Sequence, residues 1–283
     1  MARVLDGKAT AAAIKAEVAA GIEELRADGH GARLDVVLAG EDPASVTYVR
    51  HKETDAEEVG MGSKVHRLPS DVSQEELTAL VDRLNDDPEV SGFIVQLPLP
   101  EGLDPQPLIS RIMPEKDVDG LSPESAGRLS MGLSSLMPCT PHGIIQLLRR
   151  YDIQLQGREA VVLGRSNLVG KPMAQLLLRE NATVTVCHSR TRDLPAVASR
   201  ADVLVVALGQ RELVGAEHVK EGAVVVDVGI HRREEGGLVG DVRFEEVEPK
   251  ASSITPVPGG VGPMTRAMLL HNALQAARAT AAT

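Results

Sequence analysis

Short apolar runs alternate with helix-length amphipathic stretches along the whole chain. In the second half these runs are almost purely apolar, and they occupy residues 159–163, 182–187, 202–208, 223–228 and 253–257. Strands buried on both faces of a parallel sheet have this composition, because neither face meets water. Helix-length stretches separate the runs at 172–180, 193–199 and 216–220, and a last one begins at about 264. The pattern therefore predicts an α/β fold with a parallel sheet and crossover helices.

The first half repeats the alternation. It predicts strands at 34–39, 63–68 and 93–97 and helices at 8–28, 43–59 and 73–86. Residues 98–139 are rich in Pro, Gly and Ser, so we expect ligand-facing loops there. The sequence therefore predicts two α/β domains around a cleft. The first contains residues 1–138, and the second, residues 139–265, is a Rossmann-like doubly wound parallel sheet. We expect the helix at about 266–283 to return to the first domain.

Charge and aromatic content exclude several classes of protein. The 283 residues include 30 basic and 40 acidic side chains, a net charge of −10, with two Tyr, two Phe and no Trp. Nucleic-acid binding depends on basic side chains at phosphates and on aromatic stacking, so we expect no nucleic-acid partner. No run approaches the roughly eighteen apolar residues of a membrane span, and the N-terminus has no secretory apolar region. We therefore expect a cytoplasmic protein without a membrane partner.

Residues 161–172 predict a strand, a loop bounded by Gly164 and Gly170, and a helix with Pro172 in its first turn. Such a loop presents backbone N–H groups and a positive helix end to a phosphate. It departs from G-x-G-x-x-G, since Ser166 occupies the place of the second glycine. By itself the loop is equally compatible with a plain tight turn.

The residues after the next strand, 182–187, favour phosphate binding over a plain turn. An NAD site needs an acidic residue about twenty positions on, to accept from the ribose hydroxyl. The chain has Ser189 and Arg190 there, and Arg165 precedes them in the first loop. A hydroxyl and guanidinium groups suit a ribose with an extra phosphate, so NADP is favoured over NAD. A solvated basic loop is the alternative, and nearby Asp193 keeps it open.

Residues 40–60 predict a helix with Asp42 as its N-cap and Pro43 at its first position. Tyr48 and Lys52 share one face of this helix, because residues four apart are neighbours. Such a pair is most often solvent-exposed. The same spacing occurs in short-chain dehydrogenases, but those place the nucleotide loop before the Tyr, whereas here it follows by more than a hundred residues.

Eight blocks of sequence together resemble one family. They are residues 40–52, 93–100, 114–120, 138–144, 164–172, 187–191, 225–230 and 255–265. In order and spacing they are similar to bifunctional methylenetetrahydrofolate dehydrogenase/methenyltetrahydrofolate cyclohydrolase, over nearly the whole chain. The resemblance implies NADP-dependent oxidation of 5,10-methylenetetrahydrofolate to the 5,10-methenyl form, then hydrolysis to 10-formyltetrahydrofolate. It also implies a homodimer.

The resemblance implies roles for particular residues. In the first half, Tyr48 stacks on or orients the folate, Lys52 is the catalytic amine, Gln96 is its partner and Asp119 binds the pterin. In the second half, Gly164, Arg165, Ser166, Ser189 and Ile230 are cofactor contacts, joined by Arg190 on the phosphate argument above. Pro258 and Gly259, in a bare turn before the last helix, are expected to let the substrate approach closely.

The chemistry explains why such residues are needed. Hydride departure releases no proton at the methylene carbon, so alignment suffices, whereas hydrolysis needs proton shuttling. Lys52 suits that shuttling only if it is neutral for part of the cycle. Two rivals remain: a monofunctional dehydrogenase, and a non-catalytic dinucleotide-sensing module.

Other polar residues are expected to have no chemical role. Asp117 and Glu115 are expected to be surface charges, and Cys139 and Cys187 small buried hydrophobic residues. The histidines show no H-x-x-x-H pairing, so no metal site is expected. His231 departs from the family, which often has Asn at this position.

Overall fold

The computed structural model of the protein describes residues 1–282, so Thr283, at the end of the predicted last helix, lies outside the described residues. The chain groups into two compact units. The six-stranded unit contains residues 1–11 and 140–265, and the three-stranded unit contains residues 12–139 and the chain from Arg266 onward. The domain limits predicted from the sequence, 1–138 and 139–265 with a last helix returning to the first domain, stay a prediction.

The strands are β1 Arg3–Val4, β2 Arg33–Ala39, β3 Gly62–Leu68, β4 Gly92–Val95, β5 Glu159–Leu163, β6 Thr183–Cys187, β7 Val203–Val206, β8 Val224–Asp227, β9 His231–Arg232, β10 Leu238–Val239 and β11 Ser253–Ile254. The helices are α1 Gly7–Ala27, α2 Pro43–Glu58, α3 Gln74–Asp86, α4 Pro105–Arg111, α5 Pro123–Ser130, α6 Cys139–Arg150, α7 Gly170–Arg179, α8 Leu194–Ala198, α9 Phe244–Val247 and α10 Val261–Ala281.

The six-stranded unit is built on a parallel sheet in the order β1-β11-β8-β7-β5-β6. All four residues of β7 and of β8 are buried, as the apolar runs predict. The chain leaves β5 for β6 on one side and then crosses to β7 on the other. Ligands of doubly wound sheets bind at such a reversal, beyond the carboxyl ends of the strands. The predicted fold class is confirmed.

Some elements of this unit differ from the prediction. β11 is only Ser253–Ile254, and residues 216–220 contain a 3₁₀ turn, Ala216–His218, in place of a helix. β1 was not predicted. It pairs with β11, so residues 1–11 belong to the six-stranded unit, whereas the predicted domain limits place them in the first domain. A two-residue strand is too short for any periodicity to reveal it.

The three-stranded unit is built on a parallel sheet in the order β3-β2-β4. The side chains of Val37 and Val95 share an apolar core with Phe93 and with Leu77 of α3. α2 begins as predicted, with Asp42 accepting from the Ser45 N–H, and α3 begins with a capping box between Ser73 and Glu76.

Residues 98–139, predicted as loops, contain two short helices. α4 and α5 each begin with a capping side chain followed by proline, Asp104-Pro105 and Ser122-Pro123. This pairing is a helix-start signal, which the high proline content of the segment concealed.

Candidate active site

Lys52 and Gln96 meet at the carboxyl ends of β2 and β4. Lys52 is half-buried on α2, and its Nζ donates to Gln96 Oε1 at 3.0 Å. The Gln96 backbone N–H donates to Val37 O at 2.9 Å, which continues the strand pairing one residue past β4. Gln96 Nε2 donates to Leu97 O at 2.6 Å, so the amide nitrogen is engaged and the oxygen faces the amine.

Tyr48 lies one turn before Lys52 on the same helix. Its side chain is 49% exposed, whereas Val49 beside it is fully buried. An exposed ring next to a polar amine offers a flat apolar surface to a ligand. Ser45, one turn earlier, is buried, and its Oγ has no hydrogen-bond partner among residues 1–282.

A buried carboxylate anchors α2 just after Lys52. Asp55 accepts from Lys15 Nζ of α1 at 2.5 Å, and its other oxygen lies 3.3 Å from Arg266 Nε of α10. Two cations, from α1 and α10, thus lie against one carboxylate three residues after Lys52. The partners are 40 and more residues away in sequence, so no local pattern points to this cluster.

Asp119 is half-buried just after the isolated bridge between Phe93 and Asp117. Burial raises the pKa of its carboxyl above the ordinary value, and the nearby charge of Lys52 opposes part of that rise. The Cys139 thiol lies 3.8 Å from Asp119 Oδ1. Burial, and then the Asp119 charge, raise the pKa of this thiol well above its ordinary value, so it stays a donor. Cys139 is buried as expected, but it also contacts a candidate site residue.

Asn272 of α10 fixes the two chain segments around Asp119. Its Nδ2 donates to Val118 O and to Met137 O, both at 2.8 Å. The side chain is buried, and both carbonyl groups lie more than 130 residues away in sequence. No sequence pattern points to this residue, because an Asn inside a helix gives no signal of what it contacts.

The surface role expected for Asp117 is wrong. Only 1% of Asp117 is exposed, and its carboxylate accepts the backbone N–H groups of Leu121 at 3.2 Å and Ser122 at 2.8 Å. It therefore shapes the turn that follows Asp119. Glu115 is exposed, as expected, and lies 3.8 Å from Arg128.

The loop after β5 is closely packed at its two glycines. Gly164 has φ +121°, and a Cβ there would overlap Ala207 O just after β7. A Cβ on Gly170 would overlap Gly164 O. Ser166 Oγ accepts from the N–H groups of Val169 at 3.1 Å and Gly170 at 3.4 Å, so it holds the turn that leads into α7. This bare backbone at the reversal of the sheet suits close approach by a phosphate.

The loop after β6 presents hydroxyl and guanidinium groups, and its one carboxylate, Asp193, lies at the start of α8. Ser189 and Arg190 are exposed. The His188 N–H donates to Thr191 Oγ at 2.8 Å, and the Arg190 N–H donates to His188 Nδ1 at 3.1 Å, so the turn is internally bonded. Asp193 caps α8 through the Ala196 N–H at 3.4 Å, which gives this carboxylate a structural role. These groups fit a phosphorylated ribose.

The remaining predicted residues also lie in the six-stranded unit. Ile230 is 49% exposed just before β9, and Pro258 and Gly259 precede α10. Gly259 has φ +105°, and its carbonyl accepts from the Lys8 N–H at 3.0 Å. The candidate residues therefore divide by unit: Tyr48, Lys52, Gln96 and Asp119 in the three-stranded one, and Gly164, Arg165, Ser166, Ser189, Arg190, Ile230, Pro258 and Gly259 in the six-stranded one.

Among residues 1–282, no helix is both long and apolar enough to cross a bilayer. In the same residues, no group of three or more His, Cys, Asp or Glu side chains is placed to hold a metal ion.

A doubly wound sheet with a bare phosphate-type loop, joined to a second unit that carries a Lys–Gln pair, defines a dinucleotide-dependent enzyme. Two family models match the chain: tetrahydrofolate dehydrogenase/cyclohydrolase, catalytic domain, over residues 5–119, and the NAD(P)-binding domain of the same family over residues 138–281. The chain belongs to the tetrahydrofolate dehydrogenase/cyclohydrolase family.

Individual relatives agree along their full length. Bifunctional protein FolD 1 of Rubrobacter xylanophilus is 71% identical over 278 residues, 98% of each chain. The crystal structure of the bifunctional enzyme FolD from Campylobacter jejuni has a TM-score of 0.97 at 48% identity, covering 99% of each chain. FolD of Trypanosoma brucei, solved with NADP cofactor and an inhibitor, has a TM-score of 0.92 at 40% identity, covering 98% of each chain.

These likenesses confirm the predicted family and the predicted enzyme class. The protein is a bifunctional methylenetetrahydrofolate dehydrogenase and methenyltetrahydrofolate cyclohydrolase. The roles of individual residues stay predictions.

Proposed function

We propose that the protein oxidises 5,10-methylenetetrahydrofolate with NADP and then hydrolyses the methenyl product to 10-formyltetrahydrofolate, with different residues serving the two reactions. The single observation behind this division is the 3.0 Å contact between the Lys52 amine and the Gln96 amide oxygen. It gives the three-stranded unit a proton-handling group, while the six-stranded unit supplies the dinucleotide loop.

The first reaction needs alignment more than acid–base catalysis. The methylene carbon loses a hydride and becomes the methenyl cation, and no proton leaves that carbon. NADP, when bound, accepts this hydride. The chain contributes by holding its ligands in register, with Asp119 and the Tyr48 ring on the folate side.

The second reaction adds water to the methenyl cation, opens the ring and releases one proton. Lys52 handles that proton, because its amine is directed by the hydrogen bond that it donates to Gln96 Oε1 and remains half-buried. Gln96 contributes a neutral oxygen, which accepts from the amine without adding a negative charge.

Asp119 holds the pterin edge. Two carboxylate oxygens match two adjacent N–H donors on the pterin in a charge-assisted pair. Burial raises the pKa of this carboxyl because it removes the water that would solvate the charge. The N–H donors of the pterin would replace that water.

The cofactor is NADP. Support comes from the exposed Ser189 and Arg190 after β6, from the exposed Arg165, and from the use of Asp193 as a helix cap. We further propose a cytoplasmic homodimer without nucleic-acid or membrane partners. That part rests on the family resemblance and on the net charge of −10.

Purified protein incubated with methylenetetrahydrofolate and NADP, then with NAD, tests the proposal. We expect NADPH and 10-formyltetrahydrofolate to appear together, and NAD to support a much lower rate. Accumulation of the methenyl compound without the formyl product would support a monofunctional dehydrogenase. Binding of NADP without either product would support a nucleotide-sensing module.

A further inference from the structure

Two carboxylates are buried where β7 and β8 end. Asp227 closes β8 and is 4% exposed, and Asp241 is completely buried. Burying a carboxylate is costly unless hydrogen bonds replace water, and here burial raises the pKa of Asp227 to about 6. Such groups in a candidate site call for a functional explanation.

Asp227 organises the chain on both sides of the β9–β10 hairpin. Its Oδ1 accepts from the Gly229 N–H at 2.9 Å and the Asp241 N–H at 3.0 Å, and its Oδ2 accepts from the Val242 N–H at 2.9 Å. A Cβ on Gly240 would overlap this carboxylate. The backbone entering and leaving the hairpin is therefore held by one side chain.

Asp241 connects that hairpin to the loop after β7. Its Oδ2 accepts from the N–H groups of Leu208 at 2.7 Å and Gly209 at 2.9 Å. Its Oδ1 lies 2.7 Å from His231 Nε2. A carboxylate only accepts, so the ring nitrogen is the donor. The loop after β7 is the one whose Ala207 carbonyl packs on Gly164, so this network reaches the phosphate-type loop.

Ile230 lies between two residues that this network holds. Gly229 is bound to Asp227 through its N–H, and a Cβ there would overlap Asp241. His231 is bound to Asp241 through its ring. The backbone of Ile230 is thus restrained on both sides, and its apolar side chain stays 49% exposed. Restraint of an exposed apolar side chain at the ligand edge of the sheet is what a preformed cofactor contact requires.

We propose that Asp241 and His231 are positioning residues of the NADP site: their hydrogen bond holds Ile230 and the 207–209 loop in the geometry that receives the cofactor. The proposal rests on the proposed role of Ile230 as a cofactor contact.

The test is the equilibrium Kd for NADP, measured by calorimetry on the full chain without folate. His231→Leu removes the donor, and we expect a Kd about tenfold higher. His231→Gln places an amide N–H at a similar reach, and we expect a Kd within about threefold of the original. Arg232→Leu, the exposed neighbour on β9, is the matched control and should leave the Kd unchanged.

A double-mutant cycle separates positioning from general support. If part of the effect of His231 passes through Ile230, Ile230→Ala and His231→Leu together should weaken NADP binding by less than the sum of the two single free-energy losses. Additive losses, or a His231→Leu protein that binds NADP like the original, would overturn the inference. Failure of the original protein to bind NADP at all would instead overturn the proposed function, so the two failures are distinguishable.

Discussion

The hydrogen-bond partner of the Lys52 amine is a neutral amide and not a carboxylate. A carboxylate beside an amine favours the charged ammonium, whereas an amide oxygen accepts a hydrogen bond from either form. Gln96 supplies the amide oxygen at 3.0 Å, and its own nitrogen is engaged by Leu97 O. The amine therefore keeps a fixed direction without an adjacent countercharge from this residue, which suits a group that must release and take up a proton next to a cationic substrate.

Asp119→Asn tests the pterin contact. The change keeps the shape but replaces one acceptor by a donor, so one of two charge-assisted hydrogen bonds is lost. We expect the KM for methylenetetrahydrofolate to rise at least about tenfold, with the Kd for NADP unchanged. Asp71→Asn, at an exposed turn, is the matched control. Unchanged folate binding would remove Asp119 from the site.

Arg190→Gln tests the choice of cofactor. The guanidinium is exposed after β6, and the proposed contact is with the extra phosphate of NADP. We expect the KM for NADP to rise about tenfold and the KM for NAD to stay the same, because NAD lacks that phosphate. Arg192→Gln, two residues on and also exposed, should change neither. Equal effects on both cofactors would argue against a phosphate contact.

At the scale of elements, the site is held by contacts between segments distant in sequence. α2 is anchored through Asp55 by Lys15 of α1 and Arg266 of α10. The segment that carries Asp119 is held by Asn272, again from α10. α10 therefore contributes to the geometry of Lys52 and of Asp119 without itself supplying a predicted site residue.

Asn272→Ala removes the donor to two carbonyl groups, Val118 O and Met137 O. Leaving buried acceptors without a partner costs about 1–3 kcal/mol each, so we expect the free energy of unfolding to fall by about 3 kcal/mol in denaturant titration. The same titration on Gln275→Ala, one turn along α10, should show a change of less than about 0.5 kcal/mol. Equal small losses in both variants would show that Asn272 does not hold these segments.

Much of the fold was predictable, because its main strands are long, apolar and bounded by turn residues. β5 has the predicted limits, Glu159–Leu163, and α2 differs from its prediction by one residue. β1 was not predictable, since two residues have no period, and α4 and α5 were concealed by prolines.

Some side-chain contacts of the candidate site were predictable from the sequence, and others were not. The Lys52–Gln96 contact followed from a family resemblance. Asp117, Asn272 and the Asp55 cluster did not follow from any pattern, because their roles depend on partners that only the tertiary structure brings near.

At the scale of the whole molecule, the chain divides its chemistry between two compact units. The residues proposed to contact folate, Tyr48, Lys52, Gln96 and Asp119, belong to one, and the loops proposed to bind the dinucleotide belong to the other. Each unit has a parallel sheet, and in each some candidate residues directly follow the carboxyl ends of strands, where parallel sheets place their ligands: Gln96 follows β4, Gly164 follows β5 and Ser189 lies two residues after β6.

The stability of the protein should depend on pH through Asp227. Its pKa is about 6 in the folded chain, against an ordinary 3.8, so the folded state binds this proton more tightly than the unfolded chain does. The resulting stabilisation is fully present below about pH 4 and is lost as the pH rises through about 6, a change of about 3 kcal/mol.

Denaturant titrations from pH 4 to 7 on the original protein and on Asp227→Asn test this expectation. The variant is expected to be less stable at every pH, because its amide N–H₂ faces backbone N–H donors. It should nevertheless lack this part of the pH dependence. Identical pH dependence in the two proteins would contradict the assignment to Asp227.

The central claim is that the Lys52 amine serves hydrolysis and not hydride transfer. The most direct test measures both activities in Lys52→Met. Lys64→Met, which changes an exposed lysine of the same unit, is the control. We predict that Lys52→Met lowers methenyltetrahydrofolate hydrolysis by about 10²–10⁴-fold while NADP reduction stays measurable, and that Lys64→Met retains both. Equal loss of the two activities in Lys52→Met would contradict the account.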